Sequence, residues 1–255
     1  MDYPVDPPLP IQAGNAPSCI FVVSHMRSFS TLLCHILGSH KDISGYVETH
    51  QSYMGRIDLK HLPRKIRETT DEPVASKYVL DKMLHNYVYV APSVLERSNV
   101  KVLFLVRNAE DTLKSILNLF LGQHTVGPIT NPAEALDYYA TRLEKIQEYS
   151  AQLGRNARFL ESEKLIDDTH AALDGLSRWL ELSEPLNANY RTFKFTGVDH
   201  FGDPSPSIRT GSIVTSAEVR HQTYVPVSLP ETVLRRGQEA YAACRETLVR
   251  NQGAL

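Results

Sequence analysis

Cysteine is scarce in this sequence, and neither sign of charge is in excess. The three cysteines, Cys19, Cys34 and Cys244, share no metal-binding spacing, so we expect reduced thiols. The ten histidines form no H-E-x-x-H set, and we therefore expect no bound metal. Twenty-seven basic residues stand against 29 acidic ones without a basic tract, which argues against nucleic acid and membrane surfaces as partners.

Long apolar runs are missing as well. No window approaches the roughly 20 apolar residues that a membrane-spanning helix needs. The first ten residues contain four prolines and lack the basic and apolar regions of a signal peptide, so we expect a cytoplasmic protein. A chain of 255 residues, 42% of them hydrophobic, suits one globular domain over residues 1–255, with an extended segment at 1–17.

Strand-like and helix-like patterns alternate along the chain. Short β-branched and aromatic runs predict strands at 19–23, 78–82, 101–106 and 157–165. Helical periodicity predicts helices after the first and third of these strands and near 57–67, 88–97, 132–153, 169–182 and 230–250. This alternation is typical of βαβ units, so the expected fold class is α/β, a three-layer domain with a central, mainly parallel sheet flanked by helices. Residues 190–225, rich in Gly, Pro, Ser and Thr, predict an irregular loop region.

A hydroxyl-rich loop follows the first predicted strand. Arg27 stands among four hydroxyl side chains, Ser24, Ser28, Ser30 and Thr31, just before a helical pattern resumes. The amides and dipole of a helix N-terminus favour a phosphate, and these side chains would complete an anion site; a capped helix with a surface arginine is the alternative. No glycine occurs between Cys19 and Gly38, so this is not a Walker A motif, and a kinase is disfavoured.

A second polar junction follows the strand at 101–106. Arg107 closes that strand, Asn108 is placed to cap the next helix, and Ser115 lies two helical turns further on. This arrangement puts a guanidinium and a hydroxyl at the carboxyl end of a parallel strand, where open α/β sheets bind ligands. An arginine that only satisfies a neighbouring helix end is the alternative.

The two junctions together resemble the donor-binding motifs of sulfotransferases that use 3′-phosphoadenosine-5′-phosphosulfate (PAPS). Residues 27–33, R-S-F-S-T-L-L, are similar to the family's 5′-phosphosulfate loop, R/K-S-G-T/S-T/S-L-L, with Phe29 in the glycine position. Residues 107–115, R-N-x-x-D-x-x-x-S, are similar to its 3′-phosphate motif. The resemblance implies a P-loop-like nucleotide-binding core, in which the donor is held by Arg27, Ser28, Phe29, Ser30, Thr31, Arg107 and Ser115.

The same resemblance suggests catalytic residues. Lys82 lies 25 positions before Arg107, the separation found in the protein-tyrosine branch, and would act with Arg27 on the leaving phosphate. Glu48, 21 positions after Arg27, is similar to that branch's base and is the favoured candidate. His85 resembles the histidine base of the cytosolic branch and is the second candidate. His50 and Tyr53 are expected on the acceptor side.

A late loop is also expected to reach the donor. Many sulfotransferases close on the 3′-phosphate with R-K-G, and Arg209-Thr210-Gly211 is similar, with Arg220 as a comparable candidate. The segments 46–53, 121–130 and 199–209 are expected to shape the acceptor pocket.

The predicted function is PAPS-dependent sulfation of a hydroxyl or amine on a small molecule, such as a natural product or saccharide, with release of 3′-phosphoadenosine-5′-phosphate (PAP). No metal is needed for this chemistry. Assembly as a homodimer is possible on this sequence. The alternatives are a non-catalytic nucleotide-binding module of the same fold and a P-loop kinase.

Overall fold

The computed structural model describes residues 18–74, 76–121, 129–153, 156–198, 201–214 and 227–255. Its centre is a parallel sheet with the strand order β2-β3-β1-β4-β5. The strands are β1 (Ser18–Ser24), β2 (Ile43–Ser44), β3 (Tyr78–Met83), β4 (Val100–Val106) and β5 (Ala157–Glu161). Because all of them are parallel, their carboxyl ends meet at one edge of the sheet, where the loops after β1 to β4 can share a site.

Helices cover both faces of this sheet. They are α1 (Ser30–Gly38), α2 (Arg56–Thr70), α3 (Pro92–Leu95), α4 (Ala109–Leu121), α5 (Pro132–Ala151), α6 (Lys164–Asp167), α7 (Thr169–Trp179) and α8 (Glu231–Gln252). Alternate residues of β1 point to opposite faces: Phe21 joins the core beneath α2, α4, α5 and α8, whereas Val22 joins the core beneath α1 and α7. The predicted three-layer α/β fold class is therefore confirmed.

Two predicted elements are shorter than expected. The helix predicted over 88–97 covers only Pro92–Leu95, because the backbone of residues 89–91 pairs with Tyr53 in a parallel bridge and cannot be helical. The strand predicted over 157–165 ends at Glu161, since the chain then turns into α6. The extended segment at 1–17, Arg220 and residues 199–200 and 215–225 of the predicted loop region lie outside the described residues.

A buried arginine joins two strand ends at the carboxyl edge. The guanidinium of Arg142, on α5, donates to the carbonyl oxygens of Ser24 and Met83, each at 2.7 Å, and to Asn86 Oδ1 at 3.0 Å. Arg142 is only 1% exposed, so these bonds are made in a poorly screened environment. They fix the last residues of β1 and β3 relative to each other. In the described part of the chain, no helix is long and apolar enough to cross a membrane.

Candidate active site

The loop between β1 and α1 is held from within by its own serines. Ser28 Oγ donates to the His25 carbonyl at 2.8 Å, and Ser24 Oγ donates to the Leu105 carbonyl of β4 at 2.5 Å. Both serines are fully buried. The side chain of Ser28, predicted as a donor ligand, therefore closes the turn in this conformation, and its predicted contact with the donor stays a prediction.

The backbone of this loop has the shape that glycine would take, although no glycine is present. Arg27 and Phe29 have positive φ angles of 64° and 61°. A residue with a Cβ pays about 1–2 kcal/mol in this left-handed region. The Phe29 ring lies against the guanidinium of Arg107, with the Arg107 Cζ 4.2 Å from the ring centroid, and it also packs on the core beneath α1. These contacts offset part of the backbone cost.

The two predicted phosphate motifs touch each other. Arg27 Nε donates to Ser115 Oγ at 2.8 Å, and an Arg107 terminal nitrogen donates to the Arg27 carbonyl at 3.1 Å. Another Arg107 nitrogen lies 3.4 Å from the carboxylate of Asp111. The structure thus brings Arg27, Arg107 and Ser115 together at the ends of β1 and β4.

A carboxylate that sequence patterns did not indicate completes this group. Asp203 Oδ1 accepts from Arg27 at 2.9 Å, and the Asp203 amide donates to Thr31 Oγ1 at 3.1 Å. Burial alone would raise the pKa of Asp203, but the charge of Arg27 and hydrogen bonds from Ser205 lower it below its usual value. Gly202 allows this approach: its φ is 145°, and a Cβ there would lie 3.0 Å from the Thr31 side chain.

His25 anchors the backbone of Arg107. The Arg107 amide donates to His25 Nε2 at 3.1 Å, so Nδ1 carries the proton and donates to the Met26 carbonyl at 2.8 Å. Desolvation by burial lowers the pKa of His25 to about 3, with smaller lowering contributions from Arg142 and Arg107. The imidazole is therefore neutral at physiological pH and can keep accepting the Arg107 amide. The sequence gives no signal for this role.

The predicted catalytic lysine and glutamate form an ion pair. Lys82 Nζ lies 3.2 Å from Glu48 Oε1 and donates to Thr31 Oγ1 at 3.3 Å. The Lys82 side chain is fully buried, whereas that of Glu48 is 12% exposed. Lys82 therefore links the carboxylate in the loop after β2 to the hydroxyl loop after β1.

The second base candidate joins the same carboxylate. Glu48 Oε2 lies 3.9 Å from His85 Nε2 and 3.8 Å from His50 Nδ1. Tyr87 stacks on His85 at 5.0 Å between ring centroids, and its hydroxyl lies 3.1 Å from His50 Nδ1. Burial lowers the pKa of His85, while the charge of Glu48 opposes that shift. Glu48 and His85 thus lie in one cluster, where sequence patterns had presented them as separate alternatives.

Beneath this cluster lies a buried carboxylate, Asp81. It accepts hydrogen bonds from the amide and hydroxyl of Thr49 at 2.9 and 2.7 Å, from the Tyr53 hydroxyl at 2.6 Å, and from the Lys82 amide at 2.8 Å. Burial raises the pKa of Asp81, and these hydrogen bonds act in the opposite sense. Tyr53 is 0% exposed and packs on Phe21, so it is a core residue and not a wall of the acceptor pocket as predicted.

Two solved structures resemble this arrangement of strands and helices. A sulfotransferase domain from the curacin biosynthetic pathway aligns with a TM-score of 0.58 and 20% identity, over 89% of this chain and 99% of that domain. The chain has the sulfotransferase fold. A sulfotransferase domain from the Synechococcus PCC 7002 olefin synthase aligns with a TM-score of 0.57 and 16% identity, over 90% and 96% of the two chains. No protein-family model matches the sequence, and a search of curated proteins finds no match.

The late loop of this sulfotransferase fold makes mainly local contacts at the predicted R-T-G. Arg209 donates to the Gly197 carbonyl at 2.6 Å, and the Thr210 hydroxyl bonds within its own turn. Gly211 has a φ of 74°. The predicted contact of these three residues with the 3′-phosphate stays a prediction.

Among the described residues, no group of three His, Cys, Asp or Glu side chains is arranged to hold a metal ion.

Proposed function

We propose that this protein transfers a sulfuryl group from PAPS to a hydroxyl or amine of a small-molecule acceptor and releases PAP. The position of Lys82 is the main support. Its ammonium lies 3.2 Å from Glu48 Oε1 and 3.3 Å from Thr31 Oγ1, which connects the candidate base to the candidate phosphate loop. A cation between a base and a phosphate site suits a reaction that removes a proton on one side and builds negative charge on the other.

The residues at the ends of β1 and β4 fit a donor with two phosphate groups. Arg27, Ser30 and Thr31 at the start of α1 offer a guanidinium, hydroxyls and a helix N-terminus to the 5′-phosphosulfate. Arg107 and Ser115 offer a second guanidinium and a hydroxyl to the 3′-phosphate. Arginine matches phosphate geometry because its planar fork donates two parallel hydrogen bonds.

The proposed chemistry is an in-line displacement. PAPS supplies the sulfuryl group: the acceptor atom forms a new bond to sulfur while the bond from sulfur to the 5′-phosphate oxygen breaks. Glu48 takes the proton from the acceptor. Lys82 and Arg27 stabilise the negative charge that the departing phosphate gains. Burial lowers the pKa of His85, and its Nε2 lies 3.9 Å from Glu48 Oε2, so a small side-chain movement would bring it within hydrogen-bond reach to take that proton from Glu48.

The surroundings of Glu48 support this acceptor class. Tyr87 is 67% exposed and stacks on His85 beside His50. An apolar surface next to a base suits a small molecule with a hydrophobic portion, such as a natural product or an aromatic-stacking sugar. A cytoplasmic location and assembly as a homodimer remain predictions.

The decisive experiment measures PAP binding and PAPS turnover on the same preparations. The purified protein is titrated calorimetrically with PAP, with AMP and with ATP plus Mg²⁺, and a panel of small alcohols, phenols, sugars and amines is screened for PAPS-dependent PAP release. We expect micromolar PAP binding that Arg107→Ala weakens, and acceptor-dependent turnover. A preference for ATP and Mg²⁺ would indicate the kinase, and PAP binding without turnover on any acceptor would indicate the non-catalytic module.

Matched variants separate the two base candidates. Glu48→Gln and His85→Gln both remove a proton acceptor at nearly constant size. Loss of a general base lowers turnover by roughly 10²–10⁴-fold, and we expect this for Glu48→Gln, with a smaller loss for His85→Gln. PAP affinity should stay within a few-fold in both. Unchanged turnover in Glu48→Gln would remove Glu48 from the mechanism.

A further inference from the structure

We propose that Phe29 positions the Arg107 guanidinium for the 3′-phosphate, and that it thereby sets the preference of this protein for a 3′-phosphorylated nucleotide. This inference rests on the proposed function and assigns a specific task to the residue that replaces glycine in the phosphate loop. Phe29 is a positioning residue, because it acts through Arg107.

The Phe29 ring contacts the part of Arg107 that would bind phosphate. One terminal nitrogen donates to the Arg27 carbonyl at 3.1 Å, another lies 3.4 Å from Asp111, and the Arg107 amide donates to His25. The guanidinium Cζ lies over the Phe29 ring, 4.2 Å from its centroid. The ring therefore adds a contact at the centre of the guanidinium to those at its terminal nitrogens.

Holding the guanidinium in place affects binding of the 3′-phosphate directly. A long, rotamer-rich side chain loses conformational entropy when it binds a ligand, and a side chain that is already held loses less. Bidentate recognition of phosphate also depends on the orientation of the guanidinium fork. A nucleotide without the 3′-phosphate makes no use of this arrangement, so the contribution of the ring is specific to PAP and PAPS.

The backbone conformation of Phe29 also supports this role. Its φ of 61° and ψ of 16° lie in the left-handed region, which glycine adopts without cost. A glycine here would keep the loop shape and lose the ring. Phe29 also links the two halves of the donor site, because it belongs to the 5′ loop and contacts the 3′ arginine.

The test is the ratio of the AMP and PAP dissociation constants, measured by calorimetry. Phe29→Leu removes the ring and keeps an apolar side chain, whereas Phe29→Tyr keeps the ring. Trp179→Leu is the matched control. Trp179 lies on α7, packs on the same core as Phe29 and has the Lys101 ammonium 5.7 Å from its ring centroid, but it does not belong to the proposed donor site. We expect Phe29→Leu to lower the ratio on the order of 5- to 30-fold, the upper part of the range of a cation–π contact because Arg107 is mostly buried, and the other two variants to leave it within about 2-fold.

A double-mutant cycle with Arg107→Ala completes the test. In the Arg107→Ala background, Phe29→Leu should change the ratio by less than about 2-fold, because the coupled partner is gone. An unchanged ratio in Phe29→Leu, or an undiminished effect in the Arg107→Ala background, overturns this proposal alone if the unaltered protein still prefers PAP. If the unaltered protein does not prefer PAP over AMP, the proposed function fails with it. Phe29→Met replaces the leucine variant if that variant does not fold.

Discussion

Acid should destabilise this protein through the buried histidine that holds the Arg107 backbone. His25 is fully buried, donates through Nδ1 to Met26 and accepts the Arg107 amide at Nε2. Desolvation by burial, with smaller contributions from the charges of Arg142 and Arg107, lowers the pKa of His25 to about 3. Protonation of Nε2 would also break the hydrogen bond from the Arg107 amide. In the unfolded chain the pKa returns to about 6.5.

The size of the effect follows from linkage. A group whose folded pKa is depressed stabilises the folded state above its unfolded pKa, and that stabilisation is lost as the pH falls toward the folded pKa. Between pH 7 and pH 5 the unfolded state gains a proton at His25 and the folded state does not. The free energy of unfolding should therefore fall by about 2 kcal/mol from this residue alone.

Denaturant titrations at pH 7, 6 and 5 measure the loss, with His25→Gln as the variant. Glutamine offers an oxygen near the position of Nε2 but does not titrate, so the variant should lose about 2 kcal/mol less than the unaltered protein over this interval. The His35→Gln variant should behave similarly, because burial lowers the pKa of His35 to about 4. Equal losses in the unaltered protein and His25→Gln would refute the reasoning.

Three further predictions concern the charges of the site and its support. Lys82→Met should lower PAPS turnover by roughly 10²–10³-fold with a smaller effect on PAP affinity, since it removes a cation from the leaving-group side. Steady-state kinetics measure the turnover and calorimetry measures the affinity; a loss of affinity without a loss of turnover would contradict this prediction. Asp203→Asn should bind PAP several-fold more tightly, because the carboxylate on Arg27 competes with phosphate; weaker binding would mean that Asp203 orients Arg27 for the donor. Tyr53→Phe removes a hydrogen-bond donor to buried Asp81 and should lower the free energy of unfolding by about 1.5–3 kcal/mol, measured by denaturant titration. An unchanged free energy of unfolding would contradict the placement of Tyr53 in the core.

Much of the fold could be predicted because its signals are local. The apolar β1 run, the hydroxyl loop and the start of α1 are neighbours in the chain, and periodicity distinguishes a buried strand from a helix on a sheet. The two candidate phosphate motifs could be proposed for the same reason, since each lies within nine residues at a strand-to-helix junction. Where a distant partner intervened, the prediction failed: the bridge from Val90 to Tyr53 shortened α3, and contacts with Phe21 and Asp81 hold the Tyr53 ring in the core.

The sequence by itself determined which residue types stand at the carboxyl ends of the strands: Arg27, Glu48, Lys82, His85 and Arg107. Only the tertiary structure decided that Glu48 contacts Lys82 and His85 together, that Asp203 reaches Arg27, and that Phe29 lies under Arg107. The physical reason is that local patterning fixes secondary structure and the direction of a side chain relative to its own strand or helix. Contacts between segments that are tens of residues apart depend on strand order, loop conformation and packing, which exist only once the whole sheet has formed.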